Sequence, residues 1–298
     1  MTTPISVFKT PSGETRSRNA YDLVLRSWPV AYEELFVNTH FGLTHIIACG
    51  PGNGQPLILL HGQEASATMW FYNIRDLSQT FRVFMVDTVG DIGKSQPTCL
   101  PENRAEYAAW LLDILDQLQL DKVDLLGISY GGFLALNFVI AHPERVNRVV
   151  LLAPGIPNFG PPTFQWASYG FPMLMAPSQI TIRRFLSAAS QKGYSAQDLV
   201  HEQMLVAVPQ LRNRNFMRPV FLDEELRQIN APCLLMVGEQ EIMYNPIKAL
   251  ERARQLIPNL ITAMIGDAGH FLNSDQPEIV YALALIFIKE KEIEGKPR

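Results

Sequence analysis

Short, largely apolar runs recur along this chain and alternate with segments whose apolar side chains fall at helical spacing. Pro56–Leu60, Arg82–Val86, Val123–Leu126, Val146–Leu152, Cys233–Val237 and Leu260–Ile265 have the pattern of strands buried on both faces. Between them, Arg104–Leu120 sets Ala108, Leu111, Leu112, Leu115 and Leu118 on one helical stripe. Ser66–Gln79, Phe133–Ala141, Ile247–Leu256 and Pro277–Lys289 also read as helices. Ahead of this series a polar leader precedes two strands, Glu33–Asn38 and Thr44–Cys49, joined by a turn at His40–Gly42. Strands that alternate with helices predict an α/β fold, with a mostly parallel sheet covered on both faces.

The alternation breaks after Leu152. Residues 149–182 carry no charged side chain, yet the stretch is too rich in proline and glycine for a membrane helix. It holds Phe159, Phe164, Trp166, Tyr169, Phe171, Met173 and Met175, and a charged helical segment follows to about Glu225. We read residues 155–225 as an inserted helical cap over the carboxyl edge of the sheet, its uncharged stretch turned inward. Residues 1–154 and 226–298 then make the core.

Composition narrows the function. With 298 residues, 47% of them hydrophobic, the chain can bury a sizeable core. A net charge of −4 argues against nucleic acid as the main partner. No apolar run is long enough to span a bilayer, and Met1 to Arg18 lacks the apolar core of a signal peptide. Three cysteines, Cys49, Cys99 and Cys233, form no disulfide framework and suit a reducing cytoplasm. Pro51-Gly52-Asn53-Gly54 precedes a strand and leads into no helix, which excludes a phosphate loop.

The candidate chemistry centres on Ser129. It sits in Gly127-Ile128-Ser129-Tyr130-Gly131-Gly132, after an apolar strand and before a helix, which is the setting of an exposed nucleophile on a sharp turn. A serine hydroxyl needs an adjacent base that is itself oriented by an acid. His270, in Ala268-Gly269-His270-Phe271, follows the last strand at the same sheet edge and is the candidate base. His142 reads as a helix cap and His61 as a loop anchor. His40, His45 and His201 have no ligand spacing, so no metal site is expected. The acid should close an intervening strand, and Val237-Gly238-Glu239-Gln240-Glu241 offers both Glu239 and Glu241. Backbone N–H groups of Tyr130 and of Gln63, in His61-Gly62-Gln63, are the expected oxyanion donors. Glu64 beside them either tunes substrate choice or faces solvent.

The chain resembles the α/β-hydrolase superfamily. The resemblance is carried by Leu59-Leu60-His61-Gly62, Val86-Asp87 with Gly90, Gly93 and Ser95, Gly127–Gly132, His142–Val146 and Gly269-His270. More closely it is similar to the bacterial carboxylesterase NP family, through Trp28-Pro29-Val30, Thr39–Ile46, Thr68-Met69-Trp70, Asp223–Arg227 and Gly238–Tyr244. That resemblance implies an eight-stranded sheet, a helical cap, no cofactor, and Glu241 as the acid of a Ser129–Glu241–His270 triad. The expected reaction is hydrolysis of small carboxylic esters with apolar or aromatic groups through a Ser129 acyl-enzyme. Lactonase, perhydrolase or carbon–carbon bond hydrolase activity would use the same residues. A ligand receptor on a hydrolase scaffold is the alternative of another class. A serine at this turn excludes haloalkane dehalogenases and epoxide hydrolases, which carry aspartate there. Oligomeric state is left open, a homodimer included.

Overall fold

Nine strands form one mixed sheet in the computed structural model, which describes residues 3–155, 157–212 and 220–290. Residue 156 and residues 213–219 of the expected insertion lie outside the described residues, as do residues 291–298 of the last core segment. The strands are β1 (Tyr32–Thr39), β2 (Gly42–Cys49), β3 (Gln55–Leu60), β4 (Phe81–Val86), β5 (Gln96–Pro97), β6 (Val123–Ile128), β7 (Val146–Leu152), β8 (Cys233–Gly238) and β9 (Leu260–Ile265). Their order is β1-β2-β4-β3-β6-β7-β8-β9. β2 runs antiparallel to β1 and β4, and every pair from β4 to β9 is parallel. These eight agree with the expected sheet; the ninth, β5, is a two-residue strand on β2.

The helices are α1 (Pro11–Arg26), α2 (Ile74–Leu77), α3 (Arg104–Gln117), α4 (Tyr130–Ala141), α5 (Phe164–Met175), α6 (Gln179–Ala189), α7 (Leu199–Ala207), α8 (Asp223–Arg227), α9 (Pro246–Leu256), α10 (Leu272–Asp275) and α11 (Pro277–Lys289). Alternate residues of one strand feed opposite layers, because side chains in a strand point to the two faces in turn. In β3, Leu57 and Leu59 pack into the layer with α1, α7 and α11, while Ile58 and Leu60 pack into the layer with α3, α4 and α9. Both layers are chiefly apolar at the sheet, which is why the central strands read as largely apolar runs.

Two elements differ from the sequence reading. The polar leader contains α1, capped by the Thr10 hydroxyl, which accepts the Gly13 N–H at 3.0 Å. Only Gly13, Ser17, Tyr21, Val24 and Leu25 of α1 are buried, a stripe too narrow to register in a polar stretch. The helix expected over Ser66–Gln79 is instead a 3-10 helix, Ala67–Tyr72, followed by α2. The break falls at Asn73, a buried residue whose side-chain amide donates to the Asn273 carbonyl.

Asp124, the second residue of the central strand β6, is wholly buried. Its Oδ2 accepts from the Gln55 amide, while Oδ1 has no hydrogen-bond partner among the described residues. Burial pushes this carboxyl up to about 6, only partly offset by the Gln55 bond and the Arg148 charge. A carboxyl raised in the folded state favours folding while protonated, and loses that advantage as pH rises from about 4 through about 6. Asp124→Asn is therefore expected to be more stable than wild type at pH 8, by on the order of 2 kcal/mol, and equal to it near pH 4. Thermal unfolding of both proteins across that range checks this; a less stable variant at pH 8 would refute it.

Candidate active site

The parallel strands all end at one edge, and the loops leaving that edge build the site. The tightest is the turn from β6 into α4. Ser129 has φ +51, and its N–H donates to the Leu152 carbonyl at 2.9 Å. No larger residue fits beside it: a Cβ on Gly127 would stand 2.3 Å from the Gly131 oxygen, and one on Gly131 would stand 2.0 Å from the Leu60 oxygen. The turn thus presses the start of α4 onto the end of β3 and holds Ser129 at its tip. Tyr130 is the first residue of α4, where backbone N–H groups project from the helix end.

After β3, the chain passes through His61, Gly62 and Gln63. His61 Nε2 accepts the Thr88 N–H at 3.0 Å, so Nδ1 carries the hydrogen and donates to the Gly62 carbonyl at 2.7 Å. Glu64 adopts φ +59, a left-handed conformation costly for this residue type. The Asp91 carboxylate holds it there, accepting the Glu64 N–H at 3.0 Å and the Ile92 N–H at 2.9 Å. Glu64 is buried, which removes the reading that it faces solvent.

Asp87, at the end of β4, ties the same loop down from the other side. Its oxygens accept the Ala67 N–H at 2.7 Å and the Lys94 N–H at 2.8 Å. His45 is fully buried between Asp87 and Glu34, with ring nitrogens 2.7 and 3.0 Å from their oxygens. Burial alone would raise the Asp87 carboxyl, but the hydrogen bond and charge of His45 outweigh it and hold it below the usual range. Among the described residues, no group of three or more His, Cys, Asp and Glu side chains is placed to hold a metal ion.

The loops after β8 and β9 bring the remaining groups. His270 Nε2 lies 3.0 Å from Ser129 Oγ, and its Nδ1 lies 2.7 Å from Glu241 Oε2. The other Glu241 oxygen accepts the Met243 N–H at 2.7 Å. Glu241 and His270 are buried, whereas Glu239 is exposed. The structure therefore brings Ser129, His270 and Glu241 into one hydrogen-bonded chain and leaves Glu239 outside it. Such a chain can draw the proton from Ser129 while fixing the tautomer of the imidazole.

Sequence reasoning missed the groups that hold this chain in place. The Asp275 carboxylate, buried in α10, accepts the Gly269 N–H at 2.9 Å, the Ser190 hydroxyl at 2.5 Å and the N–H groups of Gln191 and Lys192. The Ala189 carbonyl, ending α6, accepts the His270 N–H at 2.6 Å. The histidine loop thus hangs on residues inserted between β7 and β8. On the facing side Gln203 of α7 accepts from the Thr68 hydroxyl at 2.5 Å and donates to the Ser66 hydroxyl at 3.0 Å. No short motif marks these residues, because most of their hydrogen bonds span a large sequence separation.

The space above Ser129 is walled chiefly by apolar side chains, among them Met69, Trp166, Met173, Phe185, Met204 and Phe271. Of the aromatic and methionine residues expected to line the insertion's inner surface, Trp166 and Met173 do so. Phe159 is buried in the core, and Phe164, Phe171 and Met175 face outward. The outward group lies on the opposite stripe of α5, a consequence of its helical period.

The family pattern described as alpha/beta hydrolase fold matches residues 55–173. Carboxylesterase YbfK of Bacillus subtilis is 38% identical over 282 residues, covering 92% of this chain and 93% of its own. The chain belongs to the α/β-hydrolase family. The crystal structure of naproxen esterase (carboxylesterase NP) from Bacillus subtilis superposes on the hydrolase with a TM-score of 0.86 at 34% identity. It covers 94% of this chain and 100% of its own. A more distant relative is the 2-hydroxy-6-oxo-2,4-heptadienoate hydrolase of Pseudomonas putida, 27% identical and covering 76% of this chain and 86% of its own. The resemblance drawn from the motifs thus extends over nearly the whole hydrolase. No helix among its described residues is long and apolar enough to cross a membrane.

Proposed function

We propose that Ser129 is the nucleophile, His270 the general base and acid, and Glu241 the acid that orients it. The protein is a carboxylesterase. The reading is carried by one observation: the Ser129–His270–Glu241 chain opens into an apolar cavity in a member of this family. In the first half-reaction His270 Nε2 takes the Ser129 proton as Oγ bonds to the ester carbonyl carbon. The carbonyl oxygen gains the negative charge and is met by the Gln63 and Tyr130 N–H groups, each such donor contributing about 10²–10³ in rate. Collapse breaks the bond to the alcohol oxygen, which leaves with the proton from His270. Water then repeats the sequence on the acyl-enzyme and releases the acid.

Residues 155–225 act as the cap over this site, a role supported by the contacts of Ala189, Trp166 and Met204 with the site and its loops. The expected substrates carry apolar or aromatic groups, in keeping with the cavity walls. The free thiols of Cys49, Cys99 and Cys233 support a reducing, cytoplasmic setting. A panel of aryl and alkyl esters, lactones and β-diketones of matched size tests the assignment. Simple apolar esters should be turned over fastest, with a pre-steady-state burst of alcohol; faster cleavage of a lactone, a carbon–carbon bond or a charged ester would overturn it.

A further inference from the structure

Two lobes of the cavity meet at Ser129 and share Gln63, Trp166 and Met243. His270 and Phe271 border the first lobe and not the second, whereas Gly155 and Tyr244 border the second and not the first. The Ser129 hydroxyl touches both sides. Its oxygen is 3.0 Å from His270 Nε2, and a Cβ added to Gly155 would stand 3.4 Å from the same oxygen.

We propose that the lobe bordered by His270 takes the alcohol half of the ester, and that the lobe bordered by Gly155 and Tyr244 takes the acyl half. The proposal rests on the roles given to Ser129 and His270 above. When the tetrahedral intermediate collapses, the bond from carbon to the alcohol oxygen breaks and that oxygen takes a proton from His270 Nε2. It must therefore lie within about 3 Å of the imidazole. Serine oxygen and oxyanion occupy two further positions on the carbon, so the acyl substituent is left to the lobe away from His270. Once the alcohol departs, its lobe is also the one from which water can reach both the imidazole and the acyl carbon.

The walls of the two lobes differ in stiffness. The alcohol lobe is lined by Met69, Met173 and Met204, unbranched thioethers that repack around different shapes. The acyl lobe is lined by Pro157, Pro162, Gly160 and the buried Tyr130 and Tyr244. Met243 borders both lobes; beyond it, the fixed φ of the prolines and the two core aromatic rings leave this wall less able to repack than the three methionines of the other. The enzyme accordingly discriminates among acids and tolerates a range of alcohols.

A grid of esters pairing graded acids with graded alcohols tests this on the wild type and three variants. Gly160→Leu fills the acyl lobe; its Cβ would meet only the Tyr244 Cβ, at 3.7 Å. Met204→Trp narrows the alcohol lobe, and Met204→Ala widens it without risk of overpacking. In wild type, kcat/KM should vary at least tenfold more across acids than across alcohols. Gly160→Leu should lower kcat/KM by about tenfold or more for branched and aryl acids, whatever the alcohol. It should also slow deacylation of those acids, a step that no longer contains the alcohol. Met204→Trp should penalise bulky alcohols and Met204→Ala favour them, with the rank order of acids the same as in wild type. Effects that swap between lobes, or that fall evenly across the grid, overturn the assignment. Labelling by a small 4-nitrophenyl phosphonate separates the two levels: wild type that neither labels at Ser129 nor shows a burst would fail the nucleophile reading itself.

Discussion

Ser129→Ala should lower kcat for ester hydrolysis by about 10⁵-fold or more while leaving the protein folded. The fold is expected to survive because the hydroxyl does no structural work: although Ser129 precedes α4, its side chain makes no capping hydrogen bond. Its backbone bonds, from its N–H to the Leu152 carbonyl and from the Gly155 N–H to its own carbonyl, use no side-chain atom. Alanine at φ +51 meets a steric cost similar to that of serine, since both carry a Cβ. With Ser129 as the proposed nucleophile, the loss of rate follows from removing the oxygen that would form the acyl-enzyme. The measurement is single-turnover and steady-state hydrolysis of a 4-nitrophenyl ester by purified variant, beside thermal unfolding. Retention of more than about one part in a thousand of kcat would overturn the nucleophile assignment.

Glu241→Gln should cost about 10³–10⁴-fold in kcat, and Glu239→Gln less than about twofold. The glutamine can keep the bond from the Met243 N–H through its own carbonyl oxygen. What it places opposite His270 Nδ1, 2.7 Å away in the parent, is then an N–H₂ group, a donor facing the nitrogen that should donate. The imidazole is driven to the tautomer with its hydrogen toward Ser129, where it can no longer accept the serine proton. Glu239 is exposed and faces neither His270 nor Ser129, so its amide changes only surface charge. Equal losses in both variants, or a larger loss for Glu239→Gln, would move the orienting acid.

These two residues also mark where sequence reasoning reached its limit. Ser129 was legible because its requirements are local: a strand, two glycines that admit close backbone approach, and a helix start, all within nine residues. His270 was legible through its place after the last strand. Glu239 and Glu241 are two positions apart in one loop, and residue type and spacing do not separate them; the resemblance to known esterases did. Physically the separation is one of burial, since the turn after Gly238 sends one side chain inward and the other to solvent. Asp275, Gln203 and Asp91 were not legible at all, because an isolated carboxylate or amide looks the same whether it anchors a buried loop or faces water. The helix α1 escaped for a related reason, its inward stripe being too thin against its polar outer face.

By itself, the sequence determined eight of the nine strands, most of the helices between them, and the strand–turn–helix that carries Ser129. These follow from periodic burial and from steric demands between near neighbours in the chain. Only the tertiary structure decided the rest: that a histidine 141 residues from Ser129 comes within 3.0 Å of it, and that the buried glutamate of two candidates meets that histidine. It also decided that Ala189, between β7 and β8, and Asp275 of α10 hold the histidine loop, and that the space over the serine is split into a methionine-lined and a proline-lined lobe. Those outcomes depend on strand order, parallel register and loop length, which set distances between residues far apart in the chain and leave no mark on the pattern of any one segment.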